Sequence, residues 1–139
     1  MAKRPLPASL KKISYKDFDM QFRRHPSTGK LLVKKDDEAV KQALKMLILT
    51  NFYEKPFFPN YGGNLRARLF DNFNSITAEL FRSQIETAIR NYEPRVMVDK
   101  NSIKIQQFPD SNRLVVTIRF RNIVTLNDLT LDVNLNKVR

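Results

Sequence analysis

A segment that suits neither a helix nor a strand constrains the fold of this chain most. Five of its fourteen aromatic residues fall within residues 52–61 together with two prolines, and two of its three glycines follow at positions 62 and 63. Aromatic side chains gain most from burial, whereas proline and glycine set backbone shapes that regular elements reject. We therefore expect a packed, rigid connector that holds together the elements on either side of it.

A helix is predicted on each side of this connector. The first should begin near Asp36, because an acidic first turn suits the positive end of a helix dipole. Its apolar face at the 3.6-residue period is Val40, Ala43, Leu44, Leu47 and Ile48. Asp37 and Lys41 should pair on the outer face. The second helix should begin between Ser75 and Thr77 and end near Tyr92, before Pro94. Its apolar stripe is Phe81, Ile85, Ala88, Ile89 and Tyr92.

Alternation with a period of two predicts strands at both ends of the chain. Near the amino terminus Phe18, Met20 and Phe22 predict a half-buried strand, followed by a turn at 26–29 and a return strand at 30–33. After Pro94 the alternating sets are Val96 and Val98; Ile103 and Ile105; Leu114, Val116, Ile118 and Phe120; and Leu129, Leu131, Val133 and Leu135. The fold class predicted is α+β, with two main helices packed on a mostly antiparallel β-sheet in a single two-layer domain.

The positive charge is concentrated at the amino terminus. Residues 1–35 carry ten Lys/Arg and two Asp, a net +8, whereas residues 36–139 contribute only +3 of the total +11. We expect residues 1–16 to form a basic extended arm and residues 17–139 to form the domain. Such an arm suits nucleic acid, an acidic protein surface or solvent. With no cysteine, membrane span or signal-peptide core, we expect a soluble protein that is not exported by the usual route.

The same segments carry a resemblance to a known family. The motifs are "LILTNFYEKPFFPNYGGNLRARLFDN", the later "EPRV" and the earlier "DFDMQFRRHPSTGKL". In that order they resemble the small baseplate wedge proteins of contractile-tailed bacteriophages. This is the GPW-type sheath-initiator family, often called lysozyme-like, with relatives in type VI secretion and other contractile injection systems. The resemblance runs from about residue 18 to about residue 124.

This resemblance implies a structural role in a virion. A member would sit in the wedge of a contractile tail baseplate, contact neighbouring wedge subunits and template the first ring of the tail sheath by strand addition. Its partners would be other wedge subunits, the tail sheath protein and tail tube or hub proteins, with six copies per baseplate assembled in the host cytoplasm. No cofactor, metal or membrane is implied. The alternative function is that of a small basic nucleic-acid-binding domain that uses the arm.

The resemblance also implies where partners bind. Its characteristic triplet is Glu93-Pro94-Arg95, in which the two charged side chains would pair with a neighbouring subunit; read without the resemblance, it is a proline stop flanked by surface charges. Arg66 and Arg68 are further candidate partner contacts. The alternating residues Leu129, Leu131, Val133 and Leu135 form the candidate edge that pairs with the sheath.

The sequence gives little indication of a catalytic site or of a metal-binding site. Glycoside hydrolysis needs two carboxyl groups about 5–9.5 Å apart, and no spacing among the five glutamates demands such a pair. His25 is the sole histidine, and no cysteine is present to complete a metal site. The aromatic segment could stack on single-stranded nucleic acid, but interleaved prolines favour a connector that caps the core. We therefore predict no enzyme activity.

Overall fold

The computed structural model describes residues 14–68, 74–111 and 113–136, without the side chains of residues 68 and 109. A two-stranded hairpin, β1 (Lys16–Phe18) and β2 (Val33–Lys35), precedes the helices α1 (Asp36–Leu49) and α2 (Ser75–Tyr92). The strands β3 (Val96–Met97), β4 (Ile103–Phe108), β5 (Arg113–Asn122) and β6 (Asp128–Asn136) form an antiparallel sheet. The predicted α+β class, with two helices on an antiparallel sheet, is confirmed.

The long strand β5 lies at the centre of this sheet. One of its sides pairs with β6 over residues 113–121. Its other side is shared, since β4 pairs with residues 113–118 and β3 with residues 121 and 122. Within the described chain, no strand pairs with the far side of β6. We call that side the open edge.

The core lies between the helices and one face of the sheet. The predicted stripes of both helices are buried, apart from Ala43 and Tyr92, which are half-buried. On the sheet, Val96, Ile103, Ile105 and every second residue from Leu114 to Phe120 and from Leu131 to Leu135 face this core. A capping box between Asn74 and Thr77 fixes the start of α2 within the predicted range.

The half-buried strand predicted from Phe18, Met20 and Phe22 is wrong, since the strand ends at Phe18 and these three side chains are exposed. The predicted apolar face, Phe18, Met20 and Phe22, is 48–70% exposed, whereas Asp19 is 1% exposed. Asp19 Oδ2 accepts a 2.7 Å hydrogen bond from Arg23 Nε, and Phe22 N–H closes a turn onto Asp19 O. This ion pair and turn end the first strand at Phe18 and override the apolar period.

The predicted arm lies largely outside the described residues, which begin at 14. Within the described part, Tyr15 O accepts from Asp36 N at 2.8 Å, and β1 already begins at Lys16. The predicted boundary after residue 16 stays a prediction. Among the described helices, none combines the length and the apolar character that a bilayer span requires.

Candidate partner-binding surfaces

Residues 93–95, which we call the corner, lie where α2 passes into β3. Glu93 caps α2, donating its backbone N–H to Ile89 O at 2.8 Å, and Pro94 stops the helix. The Glu93 side chain is only 7% exposed. Its two carboxylate oxygens each accept a 2.5 Å hydrogen bond from Arg95, one from Nε and one from Nη2. This bidentate pair satisfies a charge that would otherwise be buried alone.

The Arg95 side chain is partly exposed, with 26% of its surface open to solvent. Its guanidinium carbon lies 4.8 Å from the centroid of the Tyr15 ring, and the hydrogen bond to Glu93 raises the pKa of Arg95. Its Nη1 atom has no acceptor among the residues that the structure describes. The resemblance implies that Glu93 and Arg95 pair with a partner, whereas here they pair with each other. What the corner offers outward is the remaining side of the guanidinium and the exposed ring of Pro94.

The glycine pair fastens the connector to α1. Gly62 has a φ of 125°, and a Cβ on it would lie 2.3 Å from Thr50 O. A Cβ on Gly63 would lie 2.7 Å from Ile48 O. The predicted turn geometry is therefore found at Gly62, while Gly63 permits a close approach of two backbones.

Residues 51–61 form what we call the aromatic loop, and Tyr61 joins this loop to the corner. The Tyr61 ring packs edge-on against Tyr92 with centroids 5.0 Å apart. Burial, and then the charge of Glu93, raise the pKa of Tyr61. The Lys55 ammonium lies 4.0 Å from the Tyr61 centroid and 5.0 Å from that of Phe58. Tyr61 thus connects the loop to Tyr92, the residue that directly precedes the corner.

Three rings of the aromatic loop point into solvent. Tyr53 is 81% exposed, Phe57 97% and Phe58 53%. For them the prediction of a packed connector that caps the core is wrong. Two reverse turns are responsible: Glu54 N–H donates to Asn51 O at 3.3 Å and Phe58 N–H to Lys55 O at 3.2 Å, so the backbone satisfies itself locally. Tyr53 N–H also donates to Pro59 O at 2.9 Å, across the loop.

The candidate arginines after the loop lie on a 3₁₀ turn, Arg66–Arg68. Arg66 is exposed and contributes, as the weakest of the causes, to lowering the pKa of Glu54. The backbone of Arg68 is described, but its side chain lies outside the described part of the structure. Their partner contacts stay predictions.

The open edge displays backbone groups of alternate residues of β6. Asn122 N–H donates to Asn127 O at 3.0 Å, so these two residues form a hydrogen-bonded pair in register with the β5–β6 ladder. Hydrogen-bonded pairs alternate along antiparallel strands. The residues whose N–H and C=O groups face β5 are therefore Leu129, Leu131, Val133 and Leu135. Those whose groups face the open edge are Asp128, Thr130, Asp132, Asn134 and Asn136.

This alternation corrects the residues predicted for strand pairing. Leu131, Val133 and Leu135 are at most 8% exposed, and Leu129 is half-buried against the core. Their role is to fix β6 on the helices. An incoming strand would bond to the residues between them, whose side chains lie on the solvent face of the sheet.

Asp37 holds the β5–β6 turn, a role that sequence reasoning missed. Its carboxylate accepts hydrogen bonds from Asn122 Nδ2, Thr125 Oγ1 and Asn127 Nδ2 at 2.6–2.7 Å. These bonds, with Thr125 first, lower the pKa of Asp37. The predicted partner Lys41 instead lies 3.5 Å from Glu38. No local pattern reveals contacts between residues 85–90 positions apart.

The glutamates are arranged as ion pairs or hydrogen-bonded acceptors. Glu79 lies between Arg82 and Lys100, Glu86 pairs with Arg90, and Glu54 accepts from Asn51. Hydrogen bonds lower the pKa of Glu54 and Glu79, the reverse of what a general acid needs. In the described ranges, no three acidic or histidine side chains converge as metal ligands.

The sequence matches a known family model over most of its length. The model is that of the baseplate wedge protein gp25, and it matches residues 34–126. The baseplate wedge protein gp25 of Enterobacteria phage T4 is 36% identical over 91 residues, which cover 66% of this chain and 67% of that protein.

Two solved structures resemble the fold. A chain of the six-fold symmetrised baseplate of the anti-feeding prophage aligns with a TM-score of 0.67 and 25% identity, covering 79% of this chain and 86% of that one. A Geobacter sulfurreducens protein provisionally named a tail lysozyme aligns with a TM-score of 0.63 and 20% identity, covering 73% and 91%. The second likeness concerns the fold alone.

Proposed function

We propose, from the premise that this chain belongs to the baseplate wedge protein gp25 family, that it initiates the tail sheath by presenting a strand edge. Members of that family are structural parts of the baseplate, so the chain is a virion tail component that associates with other baseplate components. The proposed step beyond this is that the open edge accepts a strand from a subunit of the first sheath ring.

The open edge is the observation that supports this proposal. β6 is nine residues long and, among the strands that the structure describes, is paired to β5 alone. About half of its backbone N–H and C=O groups therefore face outward, which is the template that strand addition needs. Each such backbone bond contributes about 0.5–1.5 kcal/mol net, so an added strand gains affinity without requiring a particular side-chain sequence.

The edge is held firmly enough to act as a template. Buried leucines and a valine fix its inner face on the helices, and Asp37 ties the preceding turn to the start of α1. On the outer face, Thr117 Oγ1 donates a 2.7 Å hydrogen bond to Asp132 on the neighbouring strand. Arg121 makes a bidentate pair with Asp128, with hydrogen bonds of 2.7 and 2.9 Å. A pre-ordered edge avoids the entropy cost of ordering two strands at once.

The corner is the proposed contact to neighbouring wedge subunits. The outward side of the Arg95 guanidinium keeps donors for an acceptor of a partner, and the Glu93 pair fixes its orientation. We propose six copies around the tail tube, assembled in the host cytoplasm, with sheath, wedge and tube or hub proteins as neighbours. We propose no catalytic activity.

A proline on the open edge tests strand addition. Thr130 directs its N–H outward, so Thr130→Pro removes a donor for the sheath while leaving the β5–β6 ladder intact. The matched control Thr130→Val keeps the N–H. Tails assembled with each variant are counted by electron microscopy. We expect sheathed tails to be lost with Pro and kept with Val, while thermal melts show both variants folded. Normal sheaths on the proline variant would refute the proposal.

A further inference from the structure

Two exposed residues of the aromatic loop adopt a backbone conformation that their side chains oppose. Tyr53 and Phe57 both have a φ of 66°, in the left-handed region. A residue with a Cβ enters this region at a cost, and for bulky residues it is a true outlier. Both rings are more than 80% exposed, so burial returns none of that cost.

The turns of the loop explain why the backbone at these two positions is left-handed, but they do not explain why the side chains there are aromatic. Tyr53 is the third residue of the turn that Glu54 N–H closes onto Asn51 O, and Phe57 is the third residue of the turn that Phe58 N–H closes onto Lys55 O. Glycine or asparagine would meet the same φ with less strain. Folding of the isolated chain therefore gives no reason for an aromatic at either position. In this loop two strained, exposed aromatic residues lie together beside a third exposed ring, Phe58, and such a cluster favours a contact outside the chain.

We infer that the aromatic loop is the apolar half of the wedge contact that begins at the corner, and that its rings insert into an apolar groove of the same neighbouring baseplate subunit. The inference rests on the proposed function, since it extends the corner contact. The continuity is structural: Lys55 covers Phe58 and Tyr61, and Tyr61 packs on Tyr92 directly before Glu93.

The charges of the loop favour a protein groove over nucleic acid. The Glu54 carboxylate accepts from Asn51 N at 2.8 Å and from Asn51 Nδ2 at 2.7 Å. The Lys55 ammonium is placed over two rings. The loop is therefore neutral overall, whereas a stacking platform for single strands needs cations along the phosphate path. Aromatic rings beside two prolines instead match an apolar groove.

The area of the loop explains why it would act together with the corner. At roughly 200 Å² per aromatic side chain, the exposed parts of Tyr53, Phe57 and Phe58 amount to about 450 Å². A stable interface buries about 800 Å² on each partner. The loop alone falls short, and the corner, reached through the Tyr61–Tyr92 contact, would supply the remaining polar area.

The test separates binding from folding by using asparagine, which tolerates the left-handed region. The probe is the wedge complex of the same particle, expressed without this chain and immobilised, and the binding constant is measured by interferometry. We expect Tyr53→Asn and Phe57→Asn each to weaken binding by about 30-fold or more, as hot-spot rings do. Their melting temperatures should be unchanged or higher, and Phe57→Tyr should bind like the original chain.

Leu126→Asn is the matched control. Leu126 is 70% exposed with a φ of 59°, but it lies in the β5–β6 turn, so binding should be unaffected. If the original chain binds the wedge complex and the asparagine variants bind equally well, the inference alone fails. If the original chain does not bind, the proposed wedge contact fails with it. Loss of oligothymidylate binding in the same variants, with wedge binding intact, would overturn the inference in favour of nucleic acid.

Discussion

Arg95→Ala should destabilise the isolated domain measurably without unfolding it. The substitution leaves the Glu93 carboxylate, 7% exposed, without either of its two 2.5 Å hydrogen bonds. Breaking a fully buried ion pair costs about 3–5 kcal/mol. Because the Arg95 side chain is 26% exposed, water can enter the vacated space, and we expect about 2–3 kcal/mol. Small domains have about 5–15 kcal/mol of stability, so the variant should remain folded.

Denaturant unfolding and thermal melts of the purified chain measure this loss. The melting temperature should fall by roughly 10 °C. Arg90→Ala is the control, because Arg90 pairs with Glu86 at 2.7 Å but is 74% exposed, so its loss should cost no more than about 0.5 kcal/mol. Glu93→Gln, alone and combined with Arg95→Ala, completes a double-mutant cycle, with an expected coupling of about 1.5–2 kcal/mol. Equal losses for Arg95→Ala and Arg90→Ala, or a coupling near zero, would refute the reasoning.

Two further predictions concern the connector and the β5–β6 turn. Gly62→Ala should cost about 3 kcal/mol or more, because its Cβ would meet Thr50 O at 2.3 Å, whereas Gly29→Ala, with open space around it, should cost only about 1 kcal/mol; equal melting temperatures would contradict this. The pKa of Asp37 is lowered from 3.8 on folding, so the stability it contributes is present above about pH 4 and is lost as the pH falls. The melting temperature should therefore fall less steeply between about pH 5 and pH 3 in Asp37→Asn than in the original chain. The same pH dependence in both proteins would contradict a stabilising role for the Asp37 carboxylate.

Periodic parts of the chain were predicted well, and irregular or long-range parts were not. Alternation identified the buried faces of β4, β5 and β6, and an acidic first turn placed the start of α1 at Asp36. The same alternation failed at residues 18–22, where Asp19, paired with Arg23, is the buried residue and the apolar side chains are exposed. The connector was recognised as special, but nothing periodic shows that Phe57 is exposed while Tyr61 packs inward.

By itself, the sequence determined the fold class, the start of α1, the limits of α2 and the family that the motifs resemble. Tertiary structure alone decided that β5 is central and β6 an edge, that Glu93 and Arg95 satisfy each other, and that Asp37 holds a turn 85–90 residues away. The physical reason is that hydrophobic periodicity and backbone sterics act within a few residues. Other features depend instead on which distant segments the folded chain brings into contact. These are the order of the strands in the sheet, the burial of the Glu93–Arg95 pair and the exposure of aromatic side chains in the loop.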